Sequence, residues 1–500
     1  MQQGDFALQC LSAVAENQPT TKNRMTPELS NFAARLREAI SSEGRVTRVP
    51  NSEFQSPNGD SQSSSLRNDT VFNELALKLF KLQFKHNAAY RKICEARGLT
   101  PKVVEHWTQI PAVPTAAFKE MELTCLAPSE RAAVFYSSGT TKQKPSRHYH
   151  SAESLKIYKA SLWPWFEQNI FANSEFRIQN SELLILTPPP EQAPHSSLVH
   201  MFETIRQKLS AKDFTSRMMH DKSSHADVGA QFGVPPSGGR VNAELQTEVI
   251  RPPATFFGAI GLGDCWTLDF AAVVDALSSH ASNLTPRALL LLGTAFSFVH
   301  LLDFLTENNL RFRLPPGSCV METGGYKNHS RTMSKDELHA LITERLGISQ
   351  SHIICEYGMS ELSSQAYDHV TRDTWQVTRN GSASCHLSPA RLGGASGEAR
   401  VTRHFCFPPW ARVQIISPET NREVADGETG LIRVFDLANV FSVMAIQTED
   451  LGVRHGDGFE LLGRAPFAEP RGCSLMMDEL LTPTLSPHGG ERVTEGRVRG

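Results

Sequence analysis

The run Val134-Phe135-Tyr136-Ser137-Ser138-Gly139-Thr140-Thr141-Lys142-Gln143-Lys144-Pro145 closes a short apolar stretch with two serines, a glycine, two threonines and two lysines. These residue types suit an anion. Glycine lets the backbone approach a phosphate closely, hydroxyls and amides donate hydrogen bonds, and lysine adds Coulombic attraction. The Walker pattern G-x-x-x-x-G-K-[ST] cannot be laid over the run. Taken alone, it fits a Ser/Thr-rich surface turn as well as it fits a phosphate loop.

Further polar stretches follow: Glu322-Thr323-Gly324-Gly325-Tyr326, Tyr357-Gly358-Met359-Ser360-Glu361, Gln447-Thr448-Glu449-Asp450-Leu451-Gly452 and Leu462-Gly463-Arg464. Each has an ordinary counterpart. Glu361 reads equally as a solvated acid at a helix start, Asp450 as a turn residue before a glycine, and Tyr357 as core. Two other patterns fail. The glycines of Gly258-Ala-Ile-Gly261-Leu-Gly263 stand in the wrong order for a dinucleotide loop. Gly358-Met-Ser360-Glu-Leu362 has leucine where a nucleophile elbow needs its second glycine. His195 and His200 read as core or surface histidines that could also line a pocket.

The elements that must position these residues are legible from about residue 72 onward. Phe72, Leu75, Leu79 and Leu82 keep helical spacing, with Gly98 as a stop. A helix is predicted over 151–171, kinked at Pro164, and buried strands over 183–186, 289–292, 319–321 and 352–355. Ser334 and Glu337 form a capping box that opens a helix closed by Gly347. Strands alternating with helices imply an α/β body with a largely parallel sheet, whose ligands sit beyond the carboxyl ends of strands. The first 69 residues read as a weakly ordered extension, with helical character over 31–40 where Phe32, Leu36 and Ile40 share a face. The Ser/Pro-rich run 50–65 reads as a linker, and 481–500 as a tail.

Composition excludes several classes. With 50 basic and 53 acidic residues, nothing favours nucleic acid as a partner. The longest apolar run, 288–299, is too short and interrupted to span a bilayer. Nine cysteines include no C-x-x-C pair, so they read as free thiols of a cytoplasmic protein.

The ordered set of motifs resembles the adenylate-forming enzymes and, more narrowly, the acyl-protein synthetases of the LuxE type. The narrower likeness adds the stretch 72–119, Glu322-Thr-Gly-Gly-Tyr-Lys327 and Arg471-Gly-Cys473-Ser-Leu475, and covers about 70–480. The resemblance implies a large adenylate-forming-type body of mostly parallel sheets. Only 36 residues follow Arg464, so the C-terminal lid domain is expected to be much reduced or absent. It implies that Ser137, Ser138, Gly139, Thr140, Thr141 and Lys144 hold the triphosphate of ATP. Gly324 and Gly325 would lie along adenine, Tyr357 would stack on it, and Asp450 would accept the ribose hydroxyls. Glu361 would ligate Mg2+, and Arg464 would meet ribose or phosphate. Cys473 would receive the acyl group as a thioester, its thiol activated by Arg471. A fatty acid is the implied substrate and an acyl reductase or other acyl-accepting protein the implied partner. The alternatives are an acyl- or aryl-CoA ligase of the phenylacetate-CoA ligase type, a catalytically silent nucleotide-binding scaffold and, more distantly, a serine hydrolase.

Overall fold

The computed structural model describes residues 27–46, 65–137, 144–171, 182–224, 256–261, 265–282, 287–324, 333–371 and 402–465. The chain enters this part through helix α1 (Pro27–Val46). Leu29, Phe32, Leu36 and Ile40 recur every three or four residues along it, and all four are buried. The helical character expected over 31–40 is therefore a packed helix rather than part of a weakly ordered extension. Helices α2 (Asp69–His86) and α3 (Ala88–Ala96) follow. Asn68 and Asn87 cap them, each side chain accepting a backbone N–H of the first turn, from Thr70 at 2.9 Å and Tyr90 at 3.0 Å. Gly98 ends the pair at φ +66°.

Strand β1 (Val113–Pro114) and the short helix α4 (Ala117–Glu120) lead to a hairpin of β2 (Ala133–Tyr136) and β3 (Arg147–His150). Its register pairs Tyr136 with Arg147, and residues 138–143 between the two strands lie outside the described ones. Helix α5 (Ala152–Phe171) carries Pro164 internally, as expected. It packs against α1, where Ser30 Oγ donates to Glu153 Oε2 at 2.9 Å.

The parallel strands are β4 (Glu182–Ile185), β7 (Leu289–Thr294), β8 (Cys319–Thr323) and β9 (Ile353–Tyr357), with the small hairpin β5 (Gly258–Ile260) and β6 (Trp266–Leu268) lying between them in sequence. Every residue of β7 and β8 is buried, the pattern of strands covered on both faces. From β9 on, the pairing is antiparallel: β10 (Ala366–Thr371), β11 (Thr402–Cys406), β12 (Ala411–Ile416), β13 (Thr429–Asp436), β14 (Ala445–His455) and β15 (Gly458–Arg464). In the large sheet the strands order as β12-β13-β14-β15-β11-β10-β9-β8-β7-β4, with β1 parallel to β14, while β2–β3 and β5–β6 pair separately. The α/β class read from the sequence holds, and its parallel block lies at the β4 end of the sheet. Helix α9 (Lys335–Leu346; helices 197–224, 270–282 and 295–307 precede it as α6 to α8) has the expected Ser334–Glu337 capping box and a left-handed Gly347 at its end. No described helix is long and apolar enough to cross a membrane. The linker 50–65 apart from Ser65, the tail 481–500 and the residues after 465 that bear on the expected reduction of the lid lie outside the described ones.

Candidate functional site

Strands β7, β8 and β9 end side by side, with Thr294 opposite Thr323 and Thr323 opposite Glu356. Gly324 follows β8 and Gly358 follows β9, the places where two of the polar stretches were expected. Gly324 has φ +99°, and among the described residues nothing lies within 4 Å of the place a Cβ would occupy. At Gly358 a Cβ would meet the Glu356 carboxylate, which would have to shift to admit a side chain there.

Tyr357 points across the sheet to the antiparallel strands. Its hydroxyl donates to Asp450 Oδ2 at 2.9 Å. The ring meets Phe405, Phe407 and Phe459 edge-on, at centroid distances of 6.1, 6.3 and 5.4 Å. Burial, then the Asp450 charge, push the hydroxyl well above its usual pKa, so it stays a neutral donor. Asp450 stands opposite Arg464 in the β14–β15 ladder, and the Arg464 guanidinium pairs with Glu449. Tyr357, Asp450 and Arg464, spread over more than 100 residues of sequence, thus form one group.

A second group forms at the foot of the hairpin. Ser146 N donates to Ser137 Oγ at 2.9 Å and Ser137 N to Ser146 O at 3.3 Å, tying the ends of β2 and β3 together. Ser146 Oγ then donates to Glu361 Oε1 at 2.7 Å, and Ser360 Oγ to Glu361 Oε2 at 3.0 Å. Glu361 is 1% exposed. Burial holds the His148 and His150 imidazoles of β3 below their usual pKa, so both are neutral. No described cluster of three or more His, Cys, Asp or Glu could hold a metal ion. A lone carboxylate still fits Mg2+, which takes one or two carboxylates and completes its shell with substrate phosphates and water.

Beneath these groups lies a buried carboxyl. Glu356 accepts from the Thr323 hydroxyl, and burial pushes its pKa up to about 7, with the Glu322 charge adding to the rise. Asp436 accepts from Ser364 Oγ at 2.7 Å and from the backbone N–H of Ser363 and Ser364 at 2.9 and 2.8 Å. It therefore anchors the segment that follows Glu361.

Residues 59–150, which take in α2, α3 and the hairpin through His150, match the family described as Acyl-protein synthetase, LuxE. The resemblance is to the LuxE-type acyl-protein synthetases. Two curated relatives carry the name long-chain-fatty-acid–luciferin-component ligase. The Aliivibrio fischeri protein is 23% identical over 39% of this chain and 46% of its own length. The chain therefore aligns with about half of that relative. The Vibrio harveyi protein is 20% identical over 85% of this chain and 92% of its own length. Among solved structures, an open conformation of 2-hydroxyisobutyryl-CoA ligase with 2-HIB-AMP and CoA aligns at TM-score 0.47 and 13% identity, over 83% of this chain and 75% of that one. ATP-bound MatB from Rhodopseudomonas palustris aligns at TM-score 0.34 and 14% identity, over 87% of this chain and 72% of that one.

Of the residues assigned by the LuxE-type likeness, the structure brings Tyr357, Asp450 and Arg464 together, sets Gly324 just past the end of β8, the strand next to β9, and joins Ser137 to Glu361 through Ser146. Lys144 is set apart: its ammonium pairs with Glu120 at 3.0 Å, with both side chains about half exposed (52% and 56%). Ser138, Gly139, Thr140, Thr141, Gly325 and Cys473 lie outside the described residues. His195 is exposed and bonds the Val134 carbonyl at 3.1 Å. His200 packs beside Phe135 and Tyr158, its pKa lowered by burial to about 4. Ser146, His148 and Asn439, which touch the Glu361 loop, escaped the sequence reading. The only signal for Ser146 was a polar residue straight after Pro145, at the foot of the loop.

Proposed function

We propose that this chain is an ATP-dependent acyl-protein ligase acting on a fatty acid. The observation that carries the reading is the Ser146–Glu361 hydrogen bond of 2.7 Å, which ties the hydroxyl-rich hairpin to the Tyr-Gly-x-Ser-Glu loop from 215 residues away. The base of the hairpin, next to a run of residue types suited to phosphate, thereby meets a buried carboxylate suited to a divalent cation. The names of the two curated relatives support a long-chain acid and an acyl-accepting protein partner, such as an acyl reductase.

In the first step, a carboxylate oxygen of the acid attacks the α-phosphorus of ATP. The bond to the bridging oxygen breaks, giving acyl-AMP and pyrophosphate. Gly324 with Gly325 would flank adenine, and Tyr357 would pack against it. Asp450 would accept the ribose hydroxyls, and Arg464 would meet ribose or phosphate. Ser137, Ser138, Gly139, Thr140, Thr141 and Lys144 would hold the phosphates, Lys144 after leaving Glu120. Mg2+ held by Glu361 would neutralise phosphate charge. Positioning and charge neutralisation supply most of the catalysis in such a transfer. In the second step the Cys473 thiolate attacks the acyl carbonyl carbon, AMP leaves with the electron pair of the broken C–O bond, and a thioester remains. The acyl-adenylating unit would span about 70–480.

Exchange of labelled pyrophosphate into ATP tests the first step: it is expected only when a fatty acid is present. No exchange with any of a range of acids would leave a nucleotide-binding scaffold. For the second step, Cys473→Ala is expected to retain exchange yet yield no acyl-CoA when coenzyme A is added. Acyl-CoA formation by that variant would assign the chain to the CoA ligases instead.

A further inference from the structure

Four hydrogen bonds from three parts of the chain converge on Glu361. His148 Nδ1–H donates to the Ser360 carbonyl at 2.8 Å, and Asn439 Nδ2 donates to the Glu361 carbonyl at 2.9 Å. These two carbonyls belong to the peptide planes on either side of the Glu361 Cα. Fixing both planes fixes the backbone torsions of Glu361 and hence the direction of its Cα–Cβ bond. Ser146 Oγ and Ser360 Oγ then take one carboxylate oxygen each, at 2.7 and 3.0 Å. His148 and Ser146 sit two residues apart at the start of β3, so one strand sets both the backbone and the carboxylate. His148 is itself held, 3% exposed, against the His150 ring at 4.3 Å and the Phe118 ring at 6.2 Å.

We infer that Ser146 and His148 are positioning residues that hold the Glu361 carboxylate in place for the divalent cation accompanying the nucleotide. The inference rests on the function proposed above. Groups bonded to a metal-binding carboxylate orient it, and their loss weakens metal binding by about 10–100-fold. A residue whose role is only to pack the hairpin would not act selectively on the cation.

Calorimetric titration of α,β-methylene ATP, whose α–β bridge cannot be cleaved, with varied Mg2+ and in EDTA and without fatty acid, tests this without any turnover. Ser146→Ala and His148→Leu are expected to raise the Mg2+ concentration for half-maximal binding by about tenfold, with affinity in EDTA unchanged within about twofold. His148→Asn places an amide donor near the Nδ1 position and is expected to restore Mg2+ dependence to within about threefold of the parent. An unaltered Mg2+ requirement in both loss variants would overturn the inference while leaving the proposed function standing. So would an equal loss of affinity in Mg2+ and in EDTA, or failure of His148→Asn to rescue. Ser146→Ala removes one oxygen atom and keeps the question decidable if His148→Leu fails to fold. If the parent protein binds no α,β-methylene ATP with Mg2+, the proposed function falls and this inference with it.

Discussion

Glu356 shows how one side chain next to the site shapes the behaviour of the fold. Its carboxyl is buried between Thr323 and the Tyr357 turn, and its pKa is raised from 4.5 to about 7. Between those values the folded chain keeps a proton that the unfolded chain has lost. The contribution of this group is therefore fully stabilising below about 4.5 and is lost as pH rises through about 7. Glu356→Gln removes the titration. The variant is expected to gain on the parent by about 3 kcal/mol between pH 4.5 and 7, with a flat difference above, in urea unfolding across that range. A difference independent of pH would mean that Glu356 is ionised throughout. Tyr357 teaches a different lesson at this scale. The Tyr-Gly-x-Ser-Glu spelling was visible in the sequence, whereas the Asp450 contact that fixes its hydroxyl depends on pairing across strands 93 residues apart.

Among the elements, the strongly periodic ones were the most legible. Strands β7 and β8 open on apolar runs, Leu289–Leu292 and Cys319–Met321, α5 carries its Pro164 where expected, and α9 starts at its capping box and stops at Gly347. The strands from β10 to β15 went unread because they alternate short apolar and charged residues, as β13 does, with no single run long enough to stand out. Helix α1 was read as a local pattern only, since its apolar face means nothing until α5 covers it. Phe32→Ala is expected to cost about 3–5 kcal/mol, seen as a lower urea midpoint with an unchanged slope. A change within about 0.5 kcal/mol would show that α1 adds nothing to the core. The Asn68 and Asn87 caps belong to the same scale: Asn87→Ala is expected to destabilise by about 1 kcal/mol or more, because Asn87 is buried and also bonds the Ser442 carbonyl at 3.4 Å.

Across the whole molecule, the candidate site lies where three differently built parts meet. The parallel strands end in Gly324 and Tyr357, the antiparallel strands supply Asp450 and Arg464, and the hairpin supplies Ser137 and Ser146. Each part contributes residues that look ordinary alone, as Glu361 and Asp450 did in the sequence. Order along the chain identified the group, but chemistry depends on contacts such as His148–Ser360 that no spacing rule encodes. Gln83, 0% exposed on α2, spans the molecule by bonding the Asn439 carbonyl at 2.8 Å and the Met444 N–H at 3.1 Å. The segment that positions Glu361 is thus braced by the helices of the LuxE-matching region.

The most direct test of this account is incubation with radiolabelled fatty acid, ATP and Mg2+, followed by peptide mapping of the protein under conditions that preserve thioesters. The account predicts label on the peptide containing Cys473, released by hydroxylamine and absent from Cys473→Ala. Label that persists in Cys473→Ala, or a parent protein that takes up none, would contradict it.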